Sequence, residues 1–151
     1  ARDGTWYYLG SPIGRFELVK LFSSILRKDE DKYFLVTPAE KVGIKVDDAP
    51  FVAVDFSVVG NGKNQTLIFE THVGDTVKLN KENPLRVTID QNSGEPKPYI
   101  HIRSGLEALI DRKSFYRLIE LCSIKTHNKE EWFGICSNKK FFPIILASEL
   151  S

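Results

Sequence analysis

The stretch IGRFELVKLF, from Ile13 to Phe22, is almost rewritten as IDRKSFYRLI, from Ile110 to Ile119. Ile13, Arg15 and Leu21 recur as Ile110, Arg112 and Leu118, while Leu18, Lys20 and Phe22 keep their character as Phe115, Arg117 and Ile119. Any two amphipathic helices share such spacing, so the residues downstream of each copy decide the matter. After the first come YFLVT from Tyr33, a turn around Pro38 and VGIKV from Val42. After the second comes WFGICSNKKFFPI from Trp132, which reads as strand, turn and strand. Phe34 matches Phe133, Lys41 matches Lys140, and Tyr33 faces Trp132. Element order agreeing with residue matches predicts an internal duplication of strand-helix-strand-strand halves. Two copies are too few for a solenoid and point to paired halves.

Each copy has its own punctuation. TWYYL from Thr5 reads as a strand and GSPIG from Gly10 as a turn. From Phe16 to Leu26 the apolar residues cover one side of a helix, with Glu17, Lys20, Ser23, Ser24 and Arg27 mainly on the other. RKDEDK from Arg27 reads as a solvated loop. In the second copy PYIHIR is a strand, and Ser104 to Glu107 fits a capping box, in which serine accepts an orphan helix N–H and glutamate reaches back. Asp111 is a second candidate cap, for a helix running to about Ser123. Between the copies FVAVDFSVV from Phe51 and QTLIFETHV from Gln65 alternate around Asn61-Gly62, a hairpin signal, and GDTVKL and PLRVTI add strands. The expected class is α+β with sheet predominating, divided into an N-terminal half over residues 1–80 and a C-terminal half over 81–151.

A chain of 151 residues buries roughly 70% of its unfolded surface and folds without a metal or disulfide. Its 42% hydrophobic and 27% charged residues are those of a soluble globular protein. Lys+Arg 21 against Asp+Glu 20 leaves a net charge of +1, without the basic surplus of a nucleic-acid binder. No apolar run approaches the roughly 20 residues of a membrane span, and no leader is visible. Cys122 and Cys136 sit in apolar contexts and read as reduced packing residues, which points to the cytoplasm.

The chemistry is read largely from what is missing. There is no GxxxxGK[ST] loop, GxSxG elbow, HExxH or CxxC, and the three histidines lack ligand spacing with the cysteines. No catalytic residue, metal or cofactor is expected. Arg15 and Arg112 stand at turn-to-helix junctions, where backbone N–H groups favour anions. Two guanidinium groups about 6 Å apart repel by about 3 kcal/mol at an effective dielectric of 20, so an acid or a ligand phosphate must separate them. A local acid beside each arginine, Asp111 or Glu107 for Arg112, is the plainer alternative. THVGDT crowds hydroxyls, His72 and Asp75 around a glycine turn and reads first as an ordinary strand connection. Tyr99, His101 and Arg103 share one strand face, suited to stacking a base and holding a phosphate, or equally to a wet outer face. Glu40 and Lys41 share a turn, where a salt bridge is the plain reading.

The ordered phrases RDGTWYYLGSPIGR, LVTPAEKVGIKVDDAPFVAV, THVGD, PLRV and KPYIHIRSGLEALIDR resemble the bacterial domain of unknown function 1285 family over nearly the whole chain. The resemblance implies two similar halves, the second loosely pleckstrin-homology-like. It also implies a nucleotide-like ligand at their interface, a signalling role and no enzyme activity. Carried across, it places Arg15, Thr37, Glu40, Lys41, Thr71, Asp75, Tyr99, Arg103 and Glu107 near that junction. The family pattern implies asparagine where this chain has His72. The expected function is therefore a non-enzymatic cytoplasmic module that binds a small anion, without nucleic acid polymer or membrane. Two rivals remain: a protein-interaction domain using Phe141, Phe142 and the apolar run from Pro143, and a hydrolase using His72 and Asp75.

Overall fold

A computed structural model describes residues 2–8, 11–14, 16–36 and 41–149. Strands β1 (Tyr7–Tyr8) and β2 (Ser11–Pro12) form a short antiparallel ribbon, beside which Ile13 N–H donates to the Trp6 carbonyl at 2.6 Å. Helix α1 (Phe16–Ser24) leads into an antiparallel meander of β3 (Leu26–Asp29), β4 (Lys32–Val36) and β5 (Lys41–Ile44). Next come β6 (Phe51–Val59), β7 (Thr66–Thr71), β8 (Thr76–Lys78), β9 (Leu85–Ile89), β10 (Pro96–Arg103) and β11 (Leu106–Ile110). Helix α2 (Arg112–Glu120) then leads into a second antiparallel meander, β12 (Ser123–His127), β13 (Glu130–Ser137) and β14 (Lys140–Leu146). The class is α+β, mostly strand with two helices.

The six middle strands form one sheet in the order β8-β7-β6-β11-β10-β9, with strands from both sides of residue 80. Two three-stranded antiparallel runs are joined at a seam where β6 and β11 lie parallel, pairing Phe51 with Ala108 and Ala53 with Ile110. Parallel strands are normally covered on both faces, and over the paired segment Phe51, Val52 and Ala53 are all buried. Phe51, Ala53, Leu106 and Ala108 are accordingly sealed from solvent, and Leu67, Phe69 and Ile100 extend the core along the neighbouring strands. Helix α2 lies against β6, with Phe115 and Leu118 in the core and the Arg117 guanidinium 4.4 Å from the Phe56 ring centroid. Burying each such side chain stabilises the fold by about 1.5–3 kcal/mol.

The expected capping box at Ser104 to Glu107 is overturned. Ser104 and Gly105 both take positive φ, 48° and 78°, and form the tight turn between β10 and β11. Such turns match the twist of antiparallel strands and favour glycine. Glu107 is a strand residue, and Leu106, Ala108 and Ile110 alternate into the core. The true cap is Asp111, whose carboxylate accepts the Ser114 N–H at 2.9 Å.

Both helices also end sooner than expected. In α1 the Ser23 and Ser24 hydroxyls donate back to the Lys20 and Leu21 carbonyls at 2.8 and 2.6 Å, and Ile25 N–H closes on Phe22. That back-bonding competes with the helix ladder and frees Leu26 to start a strand. The charged run from Arg27 is no loop: it supplies the facing arms of the β3–β4 hairpin, turned at Glu30 with φ 57°. Near Asn61-Gly62 the β6–β7 connection is a short 3-10 turn, Gly62–Asn64. In the second meander a Cβ on Gly134 would lie 2.3 Å from the Phe142 carbonyl oxygen and 2.7 Å from the Phe141 ring, so strand β14 comes this close only to glycine.

Candidate functional site

The polar feature that crosses the fold gathers at the end of α1. A helix ends in carbonyls with no intrahelical partner and about half a negative charge. Here two arginines meet them. Arg103, at the end of β10, donates to the Ser23 carbonyl at 2.7 Å and the Leu26 carbonyl at 3.5 Å. Arg27 donates to Leu26 and Ser24 carbonyls at 2.7 and 3.2 Å. Arg103 reaches this point because the β10–β11 register shifts between His101 and Arg103. The Arg103 guanidinium also sits 5.9 Å from the centre of the Phe51 ring.

These groups wall a cleft of about 330 Å³ lined by Lys20, Ser23, Ser24, Arg27, Asp75 and Arg103. Among the described residues none of its three cations meets a carboxylate, and no donor reaches the Asp75 carboxylate. Each guanidinium carries five N–H donors, and carbonyls occupy at most a few, so donors remain for a ligand. Lys20 Nζ lies 3.9 Å from where a Cβ on Gly74 would stand, against the turn that carries Asp75.

That turn is held by backbone. Thr71 N–H donates to the Asp75 carbonyl at 2.8 Å, Asp75 N–H to Thr71 Oγ1 at 3.1 Å, and Gly74 N–H to the Thr71 carbonyl at 3.0 Å. Thr71 is buried and spends its hydroxyl oxygen on the turn, and Asp75 beyond it lines the cleft. His72 points elsewhere. Its backbone N–H donates to the Val52 carbonyl at 2.9 Å, its Nδ1 accepts the Val52 N–H at 3.2 Å, and its buried Nε2 has no hydrogen-bond partner among the described residues. Gly4 lies against the ring, where a Cβ would come within 2.8 Å. Burial holds the imidazole below its ordinary pKa, in the neutral form. His72 is not among the residues that line the cleft with Asp75.

Tyr99 and Glu107 belong to a second cluster, between the first meander and the sheet. The Tyr99 hydroxyl donates to Asp48 Oδ1 at 2.7 Å, and its ring is covered by the Arg86 guanidinium at 4.5 Å. Arg86 in turn clamps Glu107 through two bonds of 3.0 and 2.7 Å, which raise its own pKa. Burial first, then the Asp48 carboxylate, pushes the Tyr99 hydroxyl above its ordinary value; burial and the nearby Glu107 do the same for Tyr33. Lys97 sits 3.9 Å from Asp48 and 3.8 Å from Asp90.

Of the residues expected at the junction, the cleft therefore brings together Asp75 and Arg103, with Thr71 supporting the turn. Tyr99 and Glu107 are held by Arg86 instead. Arg15, Thr37 and Glu40 lie outside the described residues, as does the Lys41 side chain, whose backbone opens β5. Arg112 pairs with Glu95 at 3.5 Å on an exposed surface, not with Asp111 or Glu107. Lys20 and Arg27 were not singled out. The one available signal was that Lys20 matches Arg117 in the second copy, while Arg27 was hidden in a charged run. Among the described residues no group of three or more His, Cys, Asp or Glu could hold a metal. Both cysteines are free, with burial pushing Cys122 up to about 12, and no helix is long and apolar enough to cross a membrane.

Comparison with known proteins concerns the chain as a whole. Residues 1–49 match the model described as "Domain of unknown function (DUF1285), N-terminal domain", and residues 50–144 match "Protein of unknown function (DUF1285), C-terminal domain". Lys20, Ser23, Ser24 and Arg27 thus come from the first and Asp75 and Arg103 from the second. No curated protein matches the chain. The crystal structure of a DUF1285 family protein from Silicibacter pomeroyi DSS-3 is 57% identical, with a TM-score of 0.92 over 99% of this chain and 79% of that one. Another family member, from Shewanella baltica OS155, is 30% identical, with a TM-score of 0.61 over 78% of this chain and 85% of that one. The chain belongs to the DUF1285 family.

Proposed function

We propose that the chain is a non-enzymatic regulatory module that senses a small anionic, nucleotide-like molecule in the cleft between its two family domains. The observation that supports this reading is the set of three cations, Lys20, Arg27 and Arg103, that meet no carboxylate among the described residues and surround a cleft of about 330 Å³. Converging cations with spare donors are what a phosphate or carboxylate requires. The cleft falls within the lower range of small-molecule sites. The helix carbonyls already have arginine partners, so the negative end of α1 is offset before a ligand arrives.

The location gives such a ligand something to report. Arg103 spans the two domains, so a bound anion drawing on its donors changes how α1 is held. The two helix-plus-meander runs, α1 with β3–β5 and α2 with β12–β14, agree with an origin by duplication. The loose pleckstrin-homology likeness of the second half rests on the family resemblance. A cytoplasmic setting accords with two unbridged cysteines.

A thermal-shift panel of nucleotides and small anions tests the reading. Ligand at a hundredfold its Kd adds about 2.7 kcal/mol, a rise of roughly 5–10 °C for a chain of this size. Lys20→Ala and Arg103→Ala should each remove the shift. A flat panel, with calorimetry equally flat, would reject the sensor. One observation favours the rival reading as a protein-interaction domain: Phe16 and Leu21 of α1 are 50% and 58% exposed. A stable partner lost on Leu21→Ser but retained in Arg103→Ala would select it.

A further inference from the structure

We infer that the cleft takes a ligand in which an amino or ammonium group stands beside the anion, an amino-bearing phosphate or carboxylate; this rests on the anion-site reading above. A bare anion answers only part of the lining. Asp75 lines the same cleft as the three cations, and its carboxylate makes no ion pair or side-chain hydrogen bond among the described residues. It would repel a phosphate held by Lys20 and the arginines unless the ligand brings a positive donor to meet it.

The neutral side chains point the same way. The Ser23 and Ser24 hydroxyl protons are spent on the Lys20 and Leu21 carbonyls, so each oxygen has only lone pairs left to offer. The cleft therefore presents cationic donors together with a carboxylate and hydroxyl acceptors. A molecule carrying both an anion and N–H donors satisfies both sets, and a simple anion leaves the acceptors unmet. None of the lining residues is aromatic; the half-exposed Phe16 ring stands beside Lys20 at Gly74, on the rim. The polar head carries the recognition.

The test compares O-phosphoethanolamine with ethyl phosphate, which differ in the ammonium group alone, by calorimetry at pH 7 and fixed ionic strength. The expected result is binding of both, with the ammonium compound about fivefold tighter, the upper range for a partly exposed ion pair. Asp75→Asn should abolish that preference while ethyl phosphate binds at least as well. Asn keeps the backbone bonds to Thr71 that hold the turn. Equal affinities in the natural chain, or a preference that survives Asp75→Asn, would overturn this inference and leave the anion site standing. Failure of both probes to bind at all would overturn the anion site, and this inference with it.

Discussion

Helices α1 and α2 are both nine residues long and are spelled with nearly the same phrase, yet they sit in opposite circumstances. Leu118 of α2 is sealed from solvent, whereas Leu21, its counterpart in α1, is 58% exposed. Arg117 of α2 is fixed by Asp55 and the Phe56 carbonyl, whereas Lys20, its counterpart, looks into the cleft. The Asp55 carboxylate, lowered by the Phe56 N–H and then by Arg117, is part of that fixture. What differs is the surface below. Helix α2 comes directly after β11 and lies against β6, whose Phe51, Val52, Ala53 and Phe56 are buried. Helix α1 places Val19 in the core and is held at its end by guanidinium groups. One helix is fastened by apolar burial, the other by polar contacts that a ligand can compete for.

Four substitutions test that contrast. The largest effect is expected at the paired leucines: Leu118→Ala should cost about 3 kcal/mol, by lost burial and the cavity left behind. Leu21→Ala should stay within about 0.5 kcal/mol. Urea midpoints at unchanged slope measure both, and comparable losses would erase the distinction.

A smaller loss is expected for Arg103→Ala, about 1.5 kcal/mol, the lower range for hydrogen bonds made by a charged group. Amide exchange should then quicken in α1 and leave α2 untouched; uniform quickening would show that Arg103 is a general core residue. Arg112→Ala, at the exposed pair with Glu95, serves as the control with less than about 0.5 kcal/mol.

The smallest effect concerns pH. His72 is neutral and half-buried in the folded chain, with a pKa below its unfolded value near 6.5. Above that value both states hold the ring neutral and the group has no influence. As pH falls below it the unfolded state takes up the proton first, so stability drops until the folded pKa is passed. His72→Asn should flatten the melting temperature between pH 7 and 5 relative to the natural chain. An unchanged slope would assign the acid sensitivity to other groups.

Much of this was legible beforehand, for reasons that differ by element. Asp111 was recognised as a cap because the hydrogen bond it makes is three residues away and needs nothing else. The alternation in FVAVDFSVV and QTLIFETHV likewise announced β6 and β7. Ser104 to Glu107 failed because a local capping pattern is compatible with a tight turn leading into a strand. What settled it was the pairing of Leu106–Ile110 with β6, more than fifty residues away. The cleft failed in the same way at Lys20 and Arg27, whose meeting with Arg103 depends on a register shift that leaves no mark in the order of residues.

Composition, periodicity and caps sufficed for an α+β chain with two helices and a strand-rich middle, and the ordered phrases for a family likeness over nearly its whole length. The helices, strands and caps arise from interactions within a few residues, which a linear string records directly. Only the tertiary structure decided which of two similar helices would be buried, which arginines would meet acids and which carbonyls, and that Asp75 would share a cleft with three cations. Burial and charge pairing are set by whatever the folded chain brings alongside, and that depends on contacts between distant segments.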